Sequence, residues 1–334
     1  RRQRQMCIRD RKKVQQRLDR LASLLDSGRT DDEVLTSMPA VPLACRFPSA
    51  APAMARLLVR CIQAAASGAG TTTTRYLDGI LGSLLASLVT VLRSPLNVRE
   101  CVQVLFDGEP SIFVRLLQAS VSSHAVLPAL ADLAEAVAAP TSLPSVTHMW
   151  PVLISALLDP NRAIVHAALR LLALVTEAPL NVFALLAEVE AMSLDVANVT
   201  ARNVKLRYAQ REACKALTGS DLQMQALVRY AIGTLKLNLK PVWAASRETL
   251  VALSARIGEE VWRVSFAELQ AADALVHAGP EPGDEMEEEE VPHVTEPSHD
   301  DARDDLYQLH DPQLTRRLRT LAHIVHLDLS LIHI

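Results

Sequence analysis

The residues best suited to chemistry in this chain are a cluster of cations. Arg202, Lys205, Arg207, Arg211, Lys215, Arg229, Lys236, Lys240 and Arg247 fall in one stretch that contains only Glu212 and Asp221 as acids. Guanidinium and ammonium groups at this density neutralise phosphates, which is the sequence-independent part of nucleic-acid binding. Arg207, Arg211 and Lys215 recur every four residues, so a helix would place three cations on one face and lose stability unless an anion compensates. The same residues also read as an ordinary solvated face.

Other chemistry-bearing patterns are weak. Ala65–Thr74, AASGAGTTTT, has the glycines of a phosphate loop, but no Lys-Ser or Lys-Thr follows Gly70 and no strand precedes it. His323 and His326 lie one helical turn apart, yet no cysteine or carboxylate set completes a four-ligand metal site. Asn198-Val199-Thr200 matches a glycosylation sequon with no secretory signal to give it meaning. Trp150, Trp243 and Trp262 can stack on bases, but at their spacings they read as packing residues. Cys7, Cys45, Cys61, Cys101 and Cys214 are odd in number and widely spaced, as expected of reduced intracellular thiols. No nucleophile, base and stabiliser come together, so the expectation is a protein without catalytic residues, cofactor or metal.

The elements that must position the cations are helical. The chain has 334 residues, 49% of them hydrophobic but only 4% aromatic, and the hairpin dipeptide Asn-Gly is absent. Met149–Val175 holds one complete helix-turn-helix. Trp150, Val152, Leu153, Ala156 and Leu157 form a first apolar stripe with Pro151 in its first turn. Asp159-Pro160-Asn161 ends it, with Asn161 or Asp159 able to cap the next helix. Ile164, Val165, Ala168, Leu171, Leu172 and Val175 then form a second stripe, with Arg162, His166 and Arg170 pointing outward. Such a pair resembles a HEAT repeat, which buries its apolar face only by stacking on neighbours.

Similar helical segments are expected at Val14–Leu25, Ala55–Ala66, Tyr76–Leu92, Asn97–Phe106, Ser111–Ala119, Ala125–Ala138 and Asn181–Met192. Pairs recur on the order of every 40 residues, as in such arrays. Pro39–Pro52 reads as a connector and Ser67–Thr74 as a loop. Leu222–Leu275 then carries three amphipathic stretches, the last marked by Val261, Trp262, Val264, Phe266 and Leu269. The fold class is therefore all-α, an α-solenoid of HEAT-type repeats over 12–278. An acidic disordered insert at 279–306 interrupts it, and a further helical repeat follows at 307–328, carried by Leu314, Leu318, Leu321, Ile324 and Val325.

The ends stand apart. Arg1–Arg11 and Leu329–Ile334 read as adapter-derived, non-native segments, so 1–11 and 329–334 are set aside and the chain is expected to be a fragment of a much larger protein. Lys12, Lys13, Arg17 and Arg20 then form a solvated helix face. No run of 18 apolar residues and no secretory pattern occurs, which implies a soluble protein with no membrane partner. The net charge of −4 conceals an asymmetry: Glu281–Asp305 holds 12 acidic residues and one basic, leaving 33 basic against 26 acidic elsewhere.

Met224–Gln270 carries a more specific signal. It has Leu227-Val228-Arg229-Tyr230, then Gly233 in a run ending at Leu239, Pro241-Val242-Trp243, and Glu260-Val261-Trp262 before Phe266 and Leu269. This order resembles the "down-regulated in metastasis" region of the Utp-twenty family, HEAT-repeat components of the small-subunit processome. The acidic tract followed by another helical stretch fits that family, whereas the Ala-rich Ser49–Ala66 departs from it. The resemblance implies a non-enzymatic scaffold of the nucleus and nucleolus that supports precursor ribosomal RNA processing. Its partners would be pre-ribosomal RNA and ribosome assembly proteins, with the acidic insert meeting basic proteins. The alternative is a HEAT adaptor or nuclear transport receptor that binds proteins alone.

Overall fold

The computed structural model describes residues 51–68, 74–93, 102–107, 111–119, 121, 123–137, 149–176, 181–215 and 220–278, together with Lys12, Lys13, Gln16, Arg20 and Ser23. Every regular element among the described residues is helical. Those five N-terminal residues are exposed, as expected of a solvated face. The acidic tract, the stretch 307–328, His323, His326 and both terminal segments lie outside the described residues, as do most of Val14–Leu25 and of Pro39–Pro52.

Two compact units result, Arg1–Ala191 and Met192–Ile334. In the first, α1 (Ala51–Gly68), α2 (Thr74–Leu92), α3 (Ile112–Ala119), α4 (Val126–Val137), α5 (Trp150–Ala156), α6 (Arg162–Val175) and α7 (Val182–Ala191) follow in order. Contacts run within the pairs α1–α2, α3–α4 and α5–α6, and between successive second helices, α2 to α4 to α6. That connectivity is consistent with an α-solenoid-like class, in which each pair covers the apolar face of the one before. The predicted boundaries hold for α3 to α7 within a residue or two. Two expectations need correction. First, α1 starts at Ala51, inside the supposed connector, because Pro52 in a first turn lacks no needed donor, and it runs to Gly68, into the supposed loop. Second, Asn97–Phe106 is not a full helix where described: Val102 and Gln103 are helical and Val104–Phe106 form a turn.

Local chemistry explains the best-defined corner. Pro151 occupies the first turn of α5. Asn161 takes an extended backbone and caps α6, its Oδ1 accepting the Ala163 N–H at 3.0 Å. Asp159 Oδ1 accepts the Asn161 N–H at 2.7 Å, so the two candidate caps share the task, one closing the helix and the other shaping the turn. The inner face of α6 buries Ile164, Val165, Leu169, Leu171 and Leu172, each contributing about 1.5–3 kcal/mol by area as an upper estimate.

At α2, a Cβ on Gly82 would lie 3.0 Å from the Ala125 carbonyl oxygen and 3.1 Å from its Cβ, so glycine lets α2 approach the start of α4. Gly82→Val is expected to destabilise the unit by about 1–3 kcal/mol through overpacking. A lowered midpoint in urea would show this, and an unchanged one would mean that the contact yields.

The second unit holds α8 (Val196–Lys215), α9 (Ser220–Leu235) and α10 (Lys240–Ala278). The last is two helices in one run, broken where Ile257 leaves helical geometry at φ −131° and ψ 47°. Its first segment pairs with α8: Asn203 Nδ2 donates to the Pro241 carbonyl at 3.0 Å, and Arg207 Nε bonds Glu248 at 2.6 Å. Its second segment pairs with α9, through Arg229 to Glu260 at 2.5 Å and Lys236 to Glu268 at 2.8 Å. In both cases the contacts advance together along the two helices, so each pair of partners runs in the same direction. The hairpin α8–α9 and the hairpin within α10 are thus successive stacked pairs. Trp243 fixes the turn between them by donating its indole N–H to the Leu237 carbonyl at 2.9 Å.

Candidate functional site

The nine cations of the sequence cluster all lie in the second unit, but they do not share a surface. Helix α8 begins at a capped start: Asp195 Oδ1 accepts the Asn198 N–H at 2.9 Å, and Ser193 Oγ donates to Asp195 Oδ2 at 2.5 Å. The Ser193 hydroxyl, followed by the amides at the helix start, holds the Asp195 carboxyl below its ordinary range. Asn198, the sequon asparagine, is part of this cap through its side-chain amide, which donates to Ser193 Oγ at 2.7 Å.

From this start Arg202 turns inward. It is 4% exposed and donates to the Met192 carbonyl at 2.7 Å, a buried tie rather than a phosphate contact. Arg207 is held bidentately by Glu248, with Nε at 2.6 Å and Nη2 at 3.0 Å. Hydrogen bonding with Glu248 raises the Arg207 pKa and lowers that of Glu248. Lys215 pairs with Glu212 at 2.8 Å. The face Arg207, Arg211, Lys215 therefore carries the compensating anions that its spacing requires, one from its own helix and one from α10.

Arg229 and Lys236 are withdrawn further. Arg229 bonds Glu260 with both side chains 13% exposed, and Glu260 also takes Arg263 at 2.7 Å. Lys236 and Glu268 are buried at 8% and 9% exposure. Lys215 stays outward within its pair, and Arg211, Lys240 and Arg247 are exposed with no hydrogen-bonded carboxylate among the described residues, the Arg247 charge acting on Glu248. Lys205 is half-buried. Arg211 lies one turn beyond Arg207 and Arg247 adjoins Glu248, so two of these three flank the Arg207–Glu248 pair.

The tryptophans divide as well. Trp150 meets Phe183 edge to face at 5.2 Å, and Trp243 holds a turn, both packing roles as expected. Trp262 is not a core residue: it is exposed and stacks on the equally exposed Phe266 at 6.0 Å. Its neighbours Val261 and Val264 take the buried face, and a helix residue one position along points about 100° away.

A second polar site, not foreseen as one, lies in the first unit. Arg162, His166 and Arg170 do not point into open solvent, because the outer side of α6 abuts α4 and α7. Arg162 bonds Glu190 at 2.8 Å and 2.6 Å. Arg170 is clamped by Asp132 at 2.6 Å and by both oxygens of Glu135, and these hydrogen bonds raise its pKa. His166 lines an open cleft of about 420 Å³ together with Glu135, Arg170, Ala173, Ala184 and Glu188. Burial, then the Arg170 charge, lowers the His166 pKa from its ordinary 6.5. Cys214 is a free thiol, and no cluster of three metal-ligating residues exists among the described residues.

The His166 shift has a defined sign. A folded-state pKa below 6.5 means that the unfolded chain binds the proton more readily, so the contribution is intact above about pH 6.5 and is lost as pH falls. Histidine NMR is expected to place His166 below the free-imidazole value, and His166→Gln to flatten part of the stability loss between pH 7 and 5. An ordinary titration at His166 would mean that the cleft is open to water.

No described helix is long and apolar enough to cross a membrane. No family model matches the chain, and no curated protein is significantly similar to it.

Proposed function

We propose that the chain is a non-enzymatic HEAT-type scaffold that acts in assembly of the small ribosomal subunit, in the nucleolus, on precursor ribosomal RNA and its assembly proteins. The observation that carries the reading is the stacking of α8–α9 on the hairpin within α10. It makes Met224–Gln270, the stretch that resembles the Utp-twenty family, part of an array of parallel helical pairs. Arrays of this kind present extended surfaces that hold several partners at once. The acidic tract 279–306 suits basic ribosomal proteins by charge.

On this reading RNA meets the outward cations Arg211, Lys240 and Arg247, while Arg202, Arg229 and Lys236 serve the fold. Crosslinking in cells, with bound RNA sequenced and crosslinked peptides mapped, tests it. Precursor ribosomal RNA on peptides carrying Arg211, Lys240 or Arg247 is the expected result. Reversing the three charges to glutamate is expected to lower the salt slope for single-stranded RNA by about two units. Absence of precursor RNA from the crosslinks would overturn the RNA contact.

One observation favours the second reading, a HEAT adaptor or transport receptor that binds proteins alone. Glu248 and Glu212 pair with the surface cations Arg207 and Lys215, and Glu260 and Glu268 hold Arg229 and Lys236 inside the fold, which weakens the cationic surface open to phosphate. Retention of a small GTPase with no bound RNA would decide for it.

A further inference from the structure

Within the second segment of α10, Trp262, Phe266 and Leu269 are 49%, 43% and 47% exposed, and their spacing places them on one helix face. Val261, Val264, Ser265 and Glu268 take the neighbouring face, buried against the rest of the unit. A stripe containing a tryptophan and a phenylalanine stacked on each other is costly to leave in water. In a stacked array it lies on the flank where another helix would pack.

We infer that the stretch Leu314–Val325 of this same chain covers that face, docking as an amphipathic helix along Trp262, Phe266 and Leu269. Its apolar residues Leu314, Leu318, Leu321 and Val325 form a stripe of the same period and similar length. On a helix Arg317 borders that stripe, with Arg316 and Arg319 turned away from it, and the exposed Glu259 stands one turn before Trp262 on the receiving face. The charges are therefore complementary in sign at the edge of the contact.

Connection favours this occupant over any other. Residues 279–313 join Ala278 to Leu314, and a flexible chain of that length reaches about 30–35 Å on average, more where its acidic residues repel. From Ala278 back to Leu269 the helix measures about 14 Å. The tether therefore spans the distance and supplies a local concentration in the millimolar range, above that of a second copy in dilute solution.

Hydroxyl-radical footprinting of the whole chain, read at Trp262, Phe266 and Leu269 by mass spectrometry, tests the inference. Oxidation at these residues is expected to be several-fold slower than in Leu318→Asp/Leu321→Asp, independent of protein concentration. Should that variant aggregate, Arg317→Glu, which leaves the stripe intact, is expected to raise oxidation by a smaller factor, and Glu259→Arg to do the same. Equal oxidation in the parent and all variants would overturn the docking. Protection that fades on dilution would assign the face to a second copy instead, and protection that appears only with another protein added would assign it to that protein.

Discussion

Replacing Lys236 by methionine is expected to destabilise the second unit by about 3–5 kcal/mol, the range found when one member of a buried ion pair is removed. Lys236 and Glu268 are 8% and 9% exposed, and Nζ lies 2.8 Å from Oε2. The contact is an ion pair by distance but lacks the alignment of a hydrogen bond, since Glu268 Oε2 has no hydrogen-bond partner. The lysine charge is therefore the main compensation for that carboxylate oxygen. Methionine keeps most of the apolar stem, so the loss reports charge and not packing. Lys236→Met/Glu268→Leu is expected to recover much of the stability, because removing both charges removes the desolvation cost as well. Urea unfolding of the two variants and of Glu268→Leu completes the cycle. A loss under about 1 kcal/mol for Lys236→Met would place the pair with solvated surface bridges.

That pair also shows why the candidate site was only partly legible in the sequence. The cations of Arg202–Arg247 stand out in a linear window because the window ends one residue before Glu248 and well before Glu260 and Glu268. Pairing in stacked helices is non-local: Arg229 meets a residue 31 positions on, and Arg207 one 41 positions on. Composition within a segment cannot register such partners. The four-residue spacing of Arg207, Arg211 and Lys215 did signal that an anion was required, and Glu248 and Glu212 supply it.

Helices themselves were easier to read, because their determinants are local. Pro151 in a first turn and Asn161 at a cap act over a few residues, and both sit where their chemistry requires. Which flank of a helix meets a neighbour is decided by the array and not by the segment. Thus Arg162, His166 and Arg170 look outward on a helical projection, yet α4 and α7 bring carboxylates to them. Trp262 misleads in the opposite sense. Its apolar character and period match a core residue, but the buried face of that helix belongs to Val261 and Val264.

Phe183→Ala is expected to be comparably severe in the first unit, at about 3–5 kcal/mol, as for other buried aromatic truncations. Phe183 is fully buried in α7 and meets Trp150 of α5 edge to face, so it joins two helices that both contact α6. Truncation removes the ring contact and leaves a void at the α5–α7 junction, while α7 keeps its tie to α6 through the Arg162–Glu190 pair at its far end. The near-ultraviolet dichroism of Trp150 is expected to weaken, while Phe183→Leu, which refills most of the volume, is expected to cost less. A second readout separates local undocking from global loss. Helix α7 contributes Ala184 and Glu188 to the cleft that faces His166, and burial is the first cause of the lowered His166 pKa. If α7 loosens while α4 and α6 stay packed, His166 is expected to titrate closer to 6.5 in Phe183→Ala, with the Arg170 clamp on Asp132 and Glu135 intact. An unshifted His166 in a destabilised variant would show instead that α7 unfolds only together with the rest of the unit.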